Sequence, residues 1–430
     1  MILGLAHATL NTFLDSVREE LEVEEYAPAL ALGKAGIGKT VGIKQLADEM
    51  GIGYKELRLV MMDPTDITGL PDIKEVYQKN ADGELVRDCN GNFIPARDEH
   101  GNIKKVTTYD ANELMPQVER DGERGILVID EITSATRDAR AAIFGLCDST
   151  RKAGSYILPP KWKVVMLGNG EEDGGVYQGL ERALVDRCVT KFNVDASVDE
   201  WKKWASSHGV NPSVIAFIAF DGANLYPELT AEALESDLAI TPTPRSWTAL
   251  STKLTKMEEL NRKKSGNPGV FLDRNKVLLY ALGCVGDGTG NVGGTNYGQA
   301  FAEFYSYNNS LLSIEDIFSG KIDSGAASRV GREVIYLTIE ALNSELNRKL
   351  EAGYDREKRV FNPEVVKEAS NMTNWFIDLE KSIGLDYTIT GLTGIVQKSE
   401  LFKKLIMMSE FDEACPKLIP FIQAHNKIIQ

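Results

Sequence analysis

Residues 33–40 read Gly-Lys-Ala-Gly-Ile-Gly-Lys-Thr, the spacing GxxxxGK[ST], and no other stretch so narrows what this chain can fold into. It follows a short apolar run, Pro28 to Leu32. It precedes a segment in which Ile43, Leu46, Ala47 and Met50 recur at i, i+3, i+4 and i+7, with Gly51 as a stop. A strand, a glycine loop and a helix in that order make a phosphate-binding loop. The glycines let backbone N–H groups close on phosphate oxygens, and the helix N-terminus adds a favourable dipole. Lys39 reaches the β and γ phosphates and Thr40 offers its hydroxyl to Mg2+. The expected ligand contacts run through Gly33, Lys34, Ala35, Gly36, Ile37, Gly38, Lys39 and Thr40.

Further strands are expected at Tyr54 to Met61, Gly125 to Ile129, Lys163 to Leu167 and Val189 to Val194, with helical spacing at Ala139, Ala142, Ile143 and Leu146. Short apolar runs alternating with helices predict an α/β parallel sheet. Ile126 to Ile129 is apolar without alternation, as in a strand buried on both faces, and it delivers Asp130 and Glu131 at its C-terminal end, where ligands of open α/β sheets bind. Asp130 is expected to hold the metal beside Thr40, and Glu131 to polarise an attacking water. The next strand ends in Gly168-Asn169, whose amide can position that water. The predicted chemistry is hydrolysis of a nucleoside triphosphate with Mg2+. Asn275-Lys276 lacks the Asp of a guanine-reading NKxD, position 278 being Leu, which favours ATP over GTP.

Between Pro71 and Asp110 the texture changes. Asp82-Gly83, Asn90-Gly91 and Gly101-Asn102 punctuate short charged segments, which predicts a β-hairpin meander inserted into the α/β domain. From about Ala196 amphipathic stretches take over, at Asp199 to Ser207, Ala326 to Leu350, Pro363 to Ile383 and Glu400 to Met408. No internal repeat is read from the sequence.

The order of these motifs resembles the AAA+ ATPases and, within them, the MoxR-like group, over roughly residues 25–260. Gly33 to Thr40 is similar to Walker A, Ile126 to Glu131 to Walker B and Asn169 to sensor 1. Leu180-Glu181-Arg182-Ala183-Leu184-Val185-Asp186-Arg187-Cys188 resembles the family's LPEAxLDRF, which puts Arg187 at the arginine-finger position. Thr243-Pro244-Arg245-Ser246 resembles sensor 2, with Arg245 reaching the γ-phosphate, and Asp63 to Gly69 resembles the lead into the group's helix-2 insert. Two departures stand out. Cys188 replaces the family Phe and Glu181 the family Pro, so Arg182 rivals Arg187 as the finger. Lys39 and Asp130 are 91 positions apart, longer than the family needs, and the inserted segment supplies the excess.

The resemblance implies an AAA+ nucleotide-binding domain over 1–195 with its insertion at 71–110, a helical lid over 196–265 and an all-helical C-terminal region over 266–430. A finger acts when a neighbour supplies it, so the active unit is expected to be an oligomer with itself as partner. The family implies a ring, a hexamer, acting as a chaperone that remodels or assembles a protein client, often one with a von Willebrand factor A domain. The alternative is a nucleic-acid-dependent motor or restriction-type translocase. A nucleotide-ordered scaffold is a third class, against which the intact Asp130-Glu131 pair speaks.

Composition separates these classes. With 48 Lys and Arg against 63 Asp and Glu, the formal net charge is -15, and a broad grip on a phosphate backbone needs the opposite sign. Nucleic acid is therefore not the expected partner. Five cysteines without a close pair give neither a disulfide framework nor a CxxC site. The longest apolar run, Val214 to Phe220, is far shorter than the ~20 residues that span a bilayer, and the first residues lack a basic export region. A cytoplasmic protein with no membrane partner is expected.

Weaker motifs are set aside. Gly288 to Gly293 matches GxGxxG but follows a helical pattern, so it reads as a loop. Trp201 and Trp204, at i and i+3, read as one packed stripe with Lys202 and Lys203 beside it.

Overall fold

The computed structural model describes residues 5–110, 113–170, 179–234, 240–266, 271–289, 291–356 and 358–425. The chain divides into two compact units, Met1–Asp195 and Ala196–Gln430.

In the first unit six segments build one parallel sheet: β1 (Ala6–Thr9), β2 (Ala29–Gly33), β3 (Gly53–Arg58), β4 (Arg124–Asp130), β5 (Lys161–Gly168) and β6 (Thr190–Asp195). Their spatial order is β1, β6, β2, β5, β4, β3. The fold class is α/β, with a parallel-sheet core, a β-hairpin insertion and a large helical C-terminal region. The unalternating apolar runs are explained by burial: Ile126, Leu127, Val128 and Ile129 of β4 and Val164 to Leu167 of β5 are fully covered. Helix α1 (Leu10–Glu22) follows β1, α2 (Lys39–Met50) follows β2, and α3 (Arg137–Ile143) follows β4.

Two expectations about this sheet change. β1 has no apolar run to announce it. It is an edge strand that needs only β6, and His7 Nδ1 closes it to Asp195 Oδ2 at 2.7 Å. β3 stops at Arg58 instead of running to Met61, because Arg58 already faces Asp130, the last residue of its partner β4. Leu59–Met61 then form a single 3-10 turn, and Pro64–Thr68 a short helix whose Asp63 and Asp66 make a capping box.

The insertion is not a meander. Leu70–Glu75 and Lys105–Asp110 pair as an antiparallel stem. The first strand then continues as a spine that bridges Pro95 through Tyr77 and Leu85 through Lys79, while two further hairpins, bridged at Arg87 with Phe93 and at Arg97 with Ile103, branch off sideways. Each branch point is a ring of three backbone bonds. Val76 N–H donates to Lys104 O, Lys104 N–H to Ala96 O and Ala96 N–H to Val76 O; Gln78, Ile94 and Val86 repeat the pattern. The turns also repeat, which corrects the expectation of no internal repeat. Asn80-x-x-Gly83-Glu84, Asp88-x-x-Gly91-Asn92 and Asp98-x-x-Gly101-Asn102 each point the first side chain at the N–H groups two and four residues on. Val86-Arg-Asp and Ala96-Arg-Asp open the second and third copies.

In the second unit, two hydrophobic clusters organise the helices. One joins α4 (Val198–Ser207), α5 (Pro212–Phe220), α6 (Pro244–Ser265), α7 (Arg274–Val285) and α8 (Tyr297–Ser306) around Phe217, Trp247 and Phe301. Residues on either side of position 265 share this core. The other joins α9 (Arg332–Gly353), α10 (Pro363–Ser382) and α11 (Leu385–Lys398) around Ile339, Phe376 and Leu392. α9 serves both, Leu337 in the first and Ile339 in the second, which is why its burial runs almost all round. The helix expected from Ala326 begins at Arg332, after a 3-10 stretch Ser324–Arg329. That expected from Glu400 to Met408 ends at Leu405. Trp201 is buried as expected, whereas Trp204 is only partly so and stacks on His208 at 4.8 Å. The Gly-rich stretch after α7 follows a helix, as read, though Gly290 lies outside the described residues. No helix among the described residues is long and apolar enough to cross a membrane.

Candidate functional site

The glycine loop joins β2 to α2 at the carboxyl edge of the sheet. Gly33 ends β2 in a place where no side chain fits: a Cβ there would lie 2.1 Å from the Val194 carbonyl oxygen of β6. Gly36 and Gly38 have φ of 77° and 101°, and Gly38 caps α2. These are left-handed conformations that glycine takes without strain. The loop curls around the Lys39 ammonium, which donates to the carbonyls of Gly33 at 2.7 Å and Lys34 at 2.9 Å. Lys39 is buried, as is Ile37 beside it.

Thr40 and the end of β4 meet here. The Thr40 hydroxyl donates to Asp130 Oδ2 at 2.7 Å, and Asp130 Oδ1 accepts the Glu131 N–H at 2.9 Å. Glu131 sits at φ 57°, a conformation costly for a residue with a Cβ. The turn is held by Ser134 N–H on Glu131 O and by Ile132 N–H on Leu167 O. It places the Glu131 carboxylate next to Asn169, whose Nδ2 lies 3.4 Å from Glu131 Oε2, while Asn169 Oδ1 lies 3.5 Å from Lys39 Nζ. Lys39, Thr40, Asp130, Glu131 and Asn169 thus share one site, though they are spread over 131 positions of sequence (39 to 169 inclusive).

Several residues at this site were not singled out in the sequence. Thr133 fixes the end of β5: its hydroxyl accepts the Asn169 N–H at 3.0 Å and donates to Asn169 O at 3.1 Å. Ser134 Oγ donates to Glu131 Oε2 at 3.3 Å. Both follow the Asp-Glu pair directly, so the run Asp-Glu-Ile-Thr-Ser carried the signal. Arg58 pairs with Glu56 at 2.8 Å, and the hydrogen bond and charge of Glu56, reinforced by Asp130 and Glu131, push the guanidinium pKa further up. The Tyr54 hydroxyl, 3.1 Å from Glu56, is pushed well above its ordinary value by burial first and then by the negative charge of Glu56 and Asp130. Only the strand register, which sets Arg58 opposite Asp130, reveals these neighbours.

The arginine-bearing turn differs from the phosphate loop in how its charges are used. Arg187 donates to Ala183 O at 2.6 Å and lies over the Phe144 ring at 5.4 Å. Arg182 is 93% exposed and pairs loosely with Asp186 at 3.6 Å. Glu181, in the position where the resemblance expects Pro, is bound by Arg140 through two hydrogen bonds of 3.1 Å. Burial raises the Glu181 pKa, but the bonds and charge of Arg140, helped by Arg137, outweigh it and hold the carboxyl below its usual value. Arg245 lies in the second unit, exposed in the first turn of α6, which Thr243 and Ser246 cap reciprocally.

The donor set fits a nucleotide with a hard divalent cation. The Thr40 hydroxyl and Asp130 carboxylate are the oxygen ligands Mg2+ prefers, and a buried ammonium inside a glycine loop at a helix N-terminus suits phosphate. No protein-family model matches the chain, and no curated protein matches it. Among solved structures, it is similar to a putative ATPase from Cytophaga hutchinsonii at 12% identity and TM-score 0.29, over 52% of this chain and 74% of that one. A mutant of Thermotoga maritima RuvB matches at 14% identity and TM-score 0.32, over 84% of this chain and 92% of that one. The Thermotoga maritima RuvB Holliday junction branch migration motor matches at 13% and 0.30 over the same shares. With TM-scores of about 0.3 these likenesses add no argument to the strand order and the loop.

Proposed function

We propose that the chain is a Mg2+-dependent ATPase of the AAA+ kind, MoxR-like in its motif order, working as a ring-shaped oligomer that remodels a protein partner. The observation that carries the reading is the Thr40 to Asp130 hydrogen bond at the loop, with Glu131 and Asn169 beside Lys39. Bound ATP and Mg2+ would supply the scissile phosphoanhydride and charge neutralisation on its oxygens. Thr40 and Asp130 would hold the metal, and the backbone N–H groups of residues 34–40 with the Lys39 ammonium would hold the phosphates.

Glu131 Oε2 is engaged by Ser134 and Asn169, which fixes the carboxylate plane and leaves Oε1 to accept a hydrogen from the attacking water. Asn169, tied to Thr133, orients that water against the Glu131 carboxylate. Arg187 of a neighbouring subunit and Arg245 add positive charge where negative charge develops, so turnover requires assembly. The family resemblance supports a protein client, with a von Willebrand factor A domain protein as first candidate, and the charge of -15 supports protein over nucleic acid.

The test is Glu131→Gln. The amide keeps the shape of the site but cannot take a proton, so ATP should bind within a few-fold of wild type while turnover falls by about 100-fold or more. Wild-type turnover in that variant overturns the mechanism. Strong, salt-sensitive stimulation of the wild-type enzyme by nucleic acid would replace the protein remodeller with a nucleic-acid motor.

A further inference from the structure

Arg140 is 3% exposed, and its whole guanidinium is spoken for. Nε and Nη2 donate to the two carboxylate oxygens of Glu181, Nη1 donates to Ala135 O at 3.0 Å, and Nη2 also reaches Gly179 O at 3.5 Å. A bidentate arginine fixes orientation as well as distance. One residue therefore joins three places: the turn leaving the Asp130-Glu131 pair, the helix α3 that carries it, and the segment that starts the arginine-bearing turn. A second contact runs parallel to it. Phe144, directly after α3, lies under the Arg187 guanidinium. The stretch from Glu131 to Phe144 is itself stiff, through Ser134 on Glu131 and Thr136 capping α3.

We propose that Arg140 and Glu181 are a positioning pair that sets where Arg187 stands, so that the arginine a subunit offers its neighbour is held by the helix leaving that subunit's own acidic pair. The inference rests on the trans-arginine ATPase reading and extends it to two residues that touch no nucleotide. Neither is predicted by motif, since Glu181 stands where the resemblance has Pro.

The experiment uses full-length protein and three variants: Arg140→Met with Glu181→Leu as a double, Glu181→Gln alone, and Arg187→Ala. Removing one partner strands a buried charge, whereas replacing both by apolar groups of similar volume spares the fold. The double variant should therefore bind ATP within about threefold of wild type and assemble normally, yet turn over about tenfold or more slower at saturating ATP, with little change in KM. Each variant is then mixed with an excess of Glu131→Gln, whose subunits cannot hydrolyse but carry an intact Arg187. Turnover per double-variant subunit should rise several-fold in the mixture, because a neighbour now supplies a correctly held arginine. A merely structural defect in the subunit's own site would not be rescued. No rescue of the double variant alongside clear rescue of Arg187→Ala overturns the positioning role alone. If Arg187→Ala turns over like wild type, or is not rescued, the trans-arginine reading fails and this inference with it. Glu181→Gln strands the Arg140 charge and should therefore unfold at a lower temperature than the double. At a temperature where it is folded, it keeps one hydrogen bond to Arg140 and should turn over between wild type and the double. Turnover of the folded variant as low as the double's would mark loss of charge rather than of position and would also overturn it.

Discussion

The first unit uses glycine turns in two places, and the two work in opposite ways. In the phosphate loop, Gly33 is forced by what lies around it, while Gly36 and Gly38 are selected by φ of 77° and 101°. A Cβ on Gly33 would strike the backbone of β6, whereas one on Gly38 would meet only Leu10 Cδ2 at 3.7 Å. In the branched insertion, Gly83, Gly91 and Gly101 have φ of 84°, 86° and 84° with nothing within 4 Å of where a Cβ would be. There the backbone conformation alone selects glycine. Each insertion turn also satisfies its own N–H groups, from the leading Asn80, Asp88 or Asp98. The loop leaves that work to a ligand and to the sheet. A turn that completes itself can recur along a chain, and this one recurs at Asn80, Asp88 and Asp98; a turn completed by its surroundings is tied to one place.

The largest expected effect that tests this contrast is Gly33→Ala. A methyl group 2.1 Å from a carbonyl oxygen forces β2 and β6 apart, at a cost of about 3 kcal/mol, with loss of ATP binding. Gly91→Ala meets only the left-handed backbone, which costs about 1 kcal/mol and falls on one hairpin. Thermal unfolding by circular dichroism and nucleotide titration read both. Equal losses in the two variants would break the distinction.

A smaller effect separates the turns from one another. Asp88 and Asp98 titrate below the ordinary carboxylate value because the N–H groups of Asn92 and Asn102, then of Asn90 and His100, bond to the ionised form. A depressed value means their contribution is present above the usual carboxylate pKa and is lost as pH falls through the lowered one. Amide exchange at Asn92 and Asn102 should therefore accelerate relative to intrinsic rates on acidification below about pH 4. Glu84, whose N–H bonds to the Asn80 amide, should not follow. Identical behaviour of all three turns would remove the carboxylate from the explanation.

Legibility in the sequence followed the same divide between local and distant causes. The glycine loop, the Asp130-Glu131 strand and Asn169 were readable because each is written in a few consecutive residues: an apolar run followed by a polar tip. β1 was not, because Ala6–Thr9 has no apolar run and exists by pairing with residues 192–195. The repeat Val86-Arg-Asp and Ala96-Arg-Asp stood in plain view, yet the branching did not follow from it, since nothing local tells Tyr77 to bridge Pro95. Arg140 and Glu181, 41 positions apart, looked like an ordinary helix arginine and a departure from a motif. Their bidentate contact is a tertiary fact.

The smallest expected effect is the most severe test of the comparison. If the insertion completes itself, the phosphate loop owes it nothing, and removing it should leave the site intact. The register shows where to cut: Glu75 and Lys105 face each other in the stem, so residues 76–104 can be replaced by Asn-Gly, a pair suited to a two-residue hairpin turn. The stem Leu70–Glu75 with Lys105–Asp110 is retained, and with it the connection from β3 to β4. The shortened chain should unfold within about 0.5 kcal/mol of wild type and bind ATP with unchanged affinity, because the cut removes only exposed or half-covered residues. Loss of ATP binding would show that the insertion braces the loop and would erase the contrast. Unchanged binding and basal turnover, with loss of stimulation by a protein client, would instead assign the branched hairpins to the partner, which is the use to which a self-contained, exposed structure is suited.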